Sequence, residues 1–132
     1  MGTRFMATVE APIHQNIKEA LVKGTERDTT HVMRSLKNTE RVFKNKAALK
    51  VQEIEKAKPG DISAIYPYVA GENYRKAFQE TGDTENSVWS CGAVMGLIDD
   101  IPTCEQLIQR MVKDAETIIT KRLNSKVSKS KL

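Results

Sequence analysis

Cysteine is nearly absent from this sequence, with two residues in 132, Cys91 and Cys104. A disulfide-stapled scaffold is therefore excluded, because such domains are dense in cysteine. Four prolines and seven glycines exclude a collagen-like or low-complexity chain. Long hydrophobic runs are missing too. The longest apolar-or-glycine stretch, Cys91 to Ile98, falls far short of the ~20 residues a membrane span needs. No charged-then-apolar leader with a cleavage site is visible. With 39% hydrophobic residues, the chain reads as one soluble, intracellular domain with no membrane partner.

Acidic residues are lacking only at one end. Lys121, Arg122, Lys126, Lys129 and Lys131 follow one another with no carboxylate among them. They account for the whole net charge of +4 and leave the first 120 residues slightly acidic. The basic character is a tail and not a patch on a folded face. One Trp, three Tyr and three Phe do not interleave with basic residues as a base-stacking surface requires. Nucleic acid is not expected as a partner.

Catalytic signatures are scarce as well. There is no GxSxG elbow, no phosphate loop and no GxGxxG. Cys91 and Cys104, like His14 and His31, are spaced too widely for a compact zinc site, and no metal is expected. Cys91 reads as a small core residue. His14, near the start of a helix, reads as a surface or capping residue. Asp99 and Asp100 could hold a cation, but a helix-end turn explains them more simply. No catalytic residue is assigned.

The patterning that is present predicts mainly helix with one or two short strands. Phe5, Ala7 and Val9 alternate with polar residues, so Met1 to Val9 is expected as a strand. A helix follows from Ile13, with Ile17, Ala20 and Leu21 on its apolar face and Gly24 as its stop. Asp28 to Ser35 reads as extended. Thr39 to Lys58 reads as one surface helix with Val42, Phe43, Ala47, Val51 and Ile54 on a buried stripe, ended by Pro59-Gly60. A short piece at Asp61 to Tyr66 and another short helix, Gly71 to Thr81 closed by Gly82, come next. Glu85 to Asp99 is expected as a helix whose Ser90, Gly92, Ala93 and Gly96 leave one face nearly bare. Glycines cost a helix about 1 kcal/mol each, so a close neighbour is expected there. Thr103 with Gln106 predicts a capping box for a final amphipathic helix carrying Leu107, Ile108, Met111, Val112, Ile118 and Ile119. A disordered tail is expected beyond Arg122.

Two stretches, MGTRFMATVEAPIHQNIKEAL and GENYRKAFQETGDTENSVWSCGAVMGLIDDIPTCEQLIQRMVKDAETI, carry a resemblance. Together they look like the C-terminal part of the nitronate monooxygenase family, formerly the 2-nitropropane dioxygenases. The middle, DTTHVMRSLKNTERVFKNKAALKVQEIE, resembles that family's helical extension. Similarity spans roughly residues 1 to 120. Members are FMN-dependent (β/α)8 TIM-barrel oxidoreductases, related to a flavin-containing enoyl-acyl-carrier-protein reductase. The resemblance implies that this chain is a C-terminal fragment of such a barrel plus its extension. Residues 1–27 would be the last strand and following helix, 28–84 the extension or cap, 85–122 the closing helices, and 123–132 the basic tail.

The implied cofactor is FMN, the implied substrates an alkyl nitronate and O2. The family's GT pair at the strand end contacts the FMN phosphate, which implies Gly2 and Thr3 here, with Met1 beside them. Glycine lets a backbone amide approach a phosphate oxygen, and threonine adds a hydroxyl. Arg4 is either a phosphate counter-charge or half of an ion pair. Gly92-Ala93 departs from the family's Gly-Gln, so Gly92 is carried over only as a close-packing position. The family's catalytic histidine lies upstream of the last strand, and neither His14 nor His31 matches its motif. The chain alone is therefore expected to be inactive. The alternatives are a non-catalytic helical protein-binding module, or a half-barrel that needs a missing barrel half or a second copy. Ser130-Lys131-Leu132 matches the peroxisomal address of eukaryotes; elsewhere the expectation is cytoplasmic.

Overall fold

The computed structural model describes residues 1–126. It is mainly helical with two short strands, the predicted class, but only one of them stands where extended chain was expected. Helix α1 (Gly2–Met6) occupies the segment expected as a strand. The Arg4 and Phe5 N–H groups return to the Met1 carbonyl at 3.0 and 3.3 Å. No described strand runs beside this segment, so its backbone groups find partners locally instead of in a ladder. Helix α2 (Gln15–Lys23) starts two residues later than predicted. His14 is its N-cap, its Nδ1 accepting the Asn16 N–H at 3.1 Å. Gly24 ends it as expected.

The extended reading of residues 28–35 holds for β1 (Thr29–Val32). The single helix expected from Thr39 to Lys58 does not form as such, because its first turn is strand β2 (Glu40–Phe43). Strand β2 pairs antiparallel with β1, Thr29 opposite Phe43 and Val32 opposite Glu40. Its other edge is also covered. The Phe43 N–H donates to Trp89 O and the Cys91 N–H donates to Arg41 O, both at 3.1 Å. Both edges of β2 are thus satisfied, which outweighs a periodicity that suits a helix equally well. The same pairing overturns the helix expected over 85–99. That stretch runs extended past β2 and makes only a 3-10 turn at Ala93–Leu97.

Helix α3 (Lys46–Ala57) begins at Asn45, and α4 (Ile62–Val69) carries Pro67 near its end. Helix α5 (Gly71–Arg75) continues as one wide π-helical turn, Lys76–Thr81. Gly82 closes it with φ +66°, and a Cβ there would overlap the His14 ring. Helix α6 (Cys104–Thr117) opens with the predicted Thr103–Gln106 capping box. The chain then continues in helical turns through Leu123, and Asn124–Lys126 form a 3-10 turn where disorder was expected. The rest of the basic tail, Ser130-Lys131-Leu132 included, lies outside the described residues.

Two apolar clusters hold these elements. One gathers Ala7, Ile17, Leu21, Phe78, Trp89, Cys91, Met95 and Ile98. The other packs the β-hairpin onto α3 and α4 through Val32, Val42, Ala47, Ala48, Val51, Ile65 and Val88. Residues 28–84, expected as a helical extension with an extended start, therefore include a hairpin. Only Leu107 of α6 is buried. Ile108, Val112, Ile118, Ile119 and Leu123 of the amphipathic stripe remain exposed.

Candidate functional site

The first ten residues lie along the chain that leads into α6, and a row of polar contacts joins them. The Gly92 N–H donates to Thr3 Oγ1 at 2.9 Å. Arg4 Nη1 and Nη2 both donate to Asp100 O at 3.1 Å, and Nη2 reaches Asp100 Oδ1 at 3.0 Å. The Val9 N–H donates to Pro102 O at 3.0 Å. Glu10 accepts the Cys104 N–H on both carboxylate oxygens, at 2.9 and 3.0 Å. The segments GTRF and GAVMGLIDDIP, far apart in sequence, thus meet in one place.

Thr3 and Gly92 form the closest part of this junction. A Cβ on Gly92 would stand 3.2 Å from Thr3 Oγ1, so the small residue lets the hydroxyl reach the amide. Since Thr3 Oγ1 accepts that bond, its own O–H remains a donor for another group. Met1 and Gly2 are exposed, and a Cβ on Gly2 would meet nothing within 4 Å. The three residues expected at a phosphate therefore sit together on an accessible edge, and Thr3 is anchored from behind.

Arg4 is an ion-pair residue. Its guanidinium is committed to Asp100, with a side-chain exposure of 11%, and its Nε is buried without a partner among the described residues. Asp100, expected as a helix-end turn residue, is tied to two arginines. It also accepts Arg110 Nη2 at 2.7 Å. Chiefly through that bond, and with further help from the charges of Arg110 and Arg4, its carboxyl is held below the usual range. Glu10 is lowered mainly by the Cys104 N–H bonds, which also complete the start of α6.

Gly96 explains the second small residue of this stretch. A Cβ there would come within 2.8 Å of the Glu26 backbone nitrogen. The close neighbour expected from the glycines is real, although the segment is a 3-10 turn and not a helix. Cys91 is buried in the first cluster, and burial pushes its thiol up to about 11, so it serves as core. No group of three metal-ligating side chains occurs among the described residues. No helix among them is long and apolar enough to cross a membrane.

Sequence reasoning missed a second concave region. A groove of about 410 Å³ lies between the hairpin and α3, lined by His31, Arg34, Ser35, Gln52, Glu55 and Lys56 among others. The only hint in the sequence was the spacing of Gln52, Glu55 and Lys56, which puts them on one helix face. Their partners, Thr30, His31, Met33 and Ser35, lie about twenty residues earlier in the chain and only the fold brings them there.

Comparison with known proteins follows this geometry. A sequence profile of the family described as nitronate monooxygenase matches residues 1–114. Among solved structures, FabK from Thermotoga maritima is similar, with 32% identity and a TM-score of 0.82 over 96% of this chain. A single-substitution variant of the same protein matches with 31% identity, a TM-score of 0.73 and the same coverage of this chain. The chain spans 39% and 36% of the lengths of those two structures.

Proposed function

Because this chain belongs to the nitronate monooxygenase family, we propose that it is the C-terminal portion of an FMN-dependent (β/α)8-barrel oxidoreductase. In this reading it contributes one edge of the flavin site and is inactive alone. The observation that carries the reading is the junction of Thr3 with Gly92 and of Arg4 with Asp100. It joins the two segments on which the family resemblance rests. Residues 1–27 form the barrel-side edge, 28–84 the cap, 85–122 the closing segment, and 123–132 the tail.

The residues at that edge suit a phosphate. Gly2 is open to solvent with room for close approach, Thr3 keeps a free O–H donor, and Met1 stands beside them. These three would hold the FMN phosphate. Arg4 would not act as its counter-charge, since Asp100 occupies it. Arg4 instead fixes the direction in which Thr3 leaves the helix, and Gly92 holds the Thr3 hydroxyl in place. When bound, the flavin supplies the redox chemistry of nitronate oxidation, with O2 as the terminal oxidant.

The exposed apolar stripe of α6 and the turns after it, with Ile108, Val112 and Ile119 at 50%, 53% and 59% exposure, suits the half-barrel form of this reading. Such a face calls for cover by the remaining barrel or by a second copy. It equally suits a helical module that binds another protein without catalysis, the second reading.

Titration of the purified chain with FMN and with riboflavin tests the proposal. Expected are no nitronate-dependent oxygen uptake and weak FMN binding that riboflavin, which lacks the phosphate, does not share. Turnover by the chain alone would refute the fragment reading. Equal affinity for both flavins would refute the role given to Gly2 and Thr3, and no flavin binding at all would favour the non-catalytic module. For location we propose peroxisomal import in a eukaryotic cell through Ser130-Lys131-Leu132. A fluorescent protein carrying the last twelve residues should become punctate, and a diffuse signal would end the idea.

A further inference from the structure

We propose that the groove between the β-hairpin and α3 is a second anion site, built for the phosphate or diphosphate group of a small molecule. Its walls are locked from both sides. Gln52 Nε2 donates to Thr30 Oγ1 at 2.7 Å and to His31 O at 2.8 Å. Glu55 accepts the Met33 N–H at 2.9 Å, the Ser35 N–H at 3.0 Å and the Ser35 hydroxyl at 2.6 Å. Met33 is held at φ +57°, a left-handed conformation that a non-glycine residue keeps only where its surroundings enforce it. The Glu55 bond to its N–H is that enforcement. The turn is therefore set before any ligand arrives.

The charge balance of the groove points to the ligand. Glu55, its only carboxylate, already spends both oxygens on three donors of the turn. Among the described residues, no hydrogen bond or ion pair engages the side chains of His31, Arg34 or Lys56. Arg34, Lys56 and the His31 imidazole thus line one concave, preformed surface without a protein partner, and its two cations outnumber the single Glu55 carboxylate. An arginine fork and a lysine ammonium are the usual donors to a phosphoryl group, and their excess over Glu55 favours an anion here. A volume of about 410 Å³ lies within the range of small-molecule sites. It leaves room for what the phosphate is attached to.

This groove belongs to the hairpin and the second apolar cluster, whereas Gly2 and Thr3 stand against the first. The proposal therefore does not depend on the flavin reading. It is tested by adding inorganic pyrophosphate to the isotope-labelled chain at constant ionic strength, with sodium chloride as the control, and following backbone amide shifts. Saturable shifts centred on Arg34, Ser35 and Lys56 are expected. In the double variant Arg34→Gln, Lys56→Gln, affinity should fall about tenfold or more. Both residues are exposed, and unchanged Trp89 fluorescence would confirm that the variant is folded. Absence of saturable binding, or binding unchanged in the variant, overturns the proposal. Shifts centred on Gly2 and Thr3 would overturn it as well, while supporting the flavin-phosphate edge.

Discussion

Asn45 is the residue whose loss should show most clearly how the hairpin, α3 and the extended segment depend on one another. Its side chain is 2% exposed and makes three bonds. Its Oδ1 accepts the Ala48 N–H at 2.8 Å, capping α3. Its Nδ2 donates to Thr84 O at 2.7 Å and to Ser87 O at 2.8 Å. Replacing Asn45 with Ala removes the cap, at about 1 kcal/mol. It also leaves a buried carbonyl at Ser87 without that donor, at roughly 1–3 kcal/mol. Thr84 O suffers less, because Trp89 Nε1 also donates to it, at 3.2 Å. The expected loss is about 3 kcal/mol, which for a chain of this length lowers the melting temperature by about 11 °C. Urea unfolding followed by the fluorescence of Trp89, the only tryptophan and 1% exposed, measures it. Asn45→Asp keeps the cap acceptor but turns a buried carboxylate toward both carbonyl oxygens, so it should cost at least as much as Asn45→Ala. If Asn45→Ala costs less than about 1 kcal/mol, Ser87 O must find another partner, and the reasoning from buried, singly satisfied groups fails here.

Other expectations follow from single contacts. Gly96→Ala should destabilise by about 1–3 kcal/mol, because its Cβ would press on the Glu26 backbone. Gly2→Ala, with nothing nearby, should stay within about 0.5 kcal/mol, and thermal melts of the pair check both. The lowered Asp100 carboxyl contributes stability that is present above its unfolded value of about 3.9 and is lost as the pH falls through its lower folded value. Asp100→Asn should therefore flatten the acid limb of the stability profile in that window, to a degree limited by solvent screening of a carboxylate that is 39% exposed. A profile identical to that of the parent would sink this assignment. Iodoacetamide at pH 8 should label partly exposed Cys104 and spare Cys91, whose thiol is buried and pushed up to about 11. Equal labelling in the native state, read by mass spectrometry, would contradict that burial.

Local chemistry was legible wherever a residue acts on its immediate neighbours. The Thr103–Gln106 box, the stop at Gly24, the closure at Gly82 and the capping role of His14 all depend on a few adjacent backbone groups. The regions read wrongly are those whose backbone partners lie far along the chain. Val42 and Phe43 fit a helical stripe as well as a strand, and the Phe43 N–H donating to Trp89 O with the Cys91 N–H donating to Arg41 O breaks the tie. Met1 to Val9 alternates like a strand but has no ladder beside it among the described residues. At the candidate site the small residues Gly92 and Gly96 announced a close approach. What approaches them, the Thr3 hydroxyl and the Glu26 backbone, was invisible without the fold. The groove at Arg34 and Lys56 was missed for the same reason, since only the fold lays the β1 end of the hairpin against α3.

Composition and periodicity by themselves determined that this chain is mainly helical, that it lacks the motifs of a self-contained active site, and that its basic excess is terminal. The two segments that resemble the nitronate monooxygenase family also determined the family. These properties depend on residue types and their neighbours in sequence, and they survive without knowledge of contacts. The tertiary structure alone decided that Arg4 belongs to Asp100, that Thr3 is held by Gly92, and that Gln52 and Glu55 of α3 hold the hairpin turn beside Arg34. Each of these is a pairing between groups that only the packed core brings within hydrogen-bonding distance, and no local pattern encodes which distant partner a polar group will find.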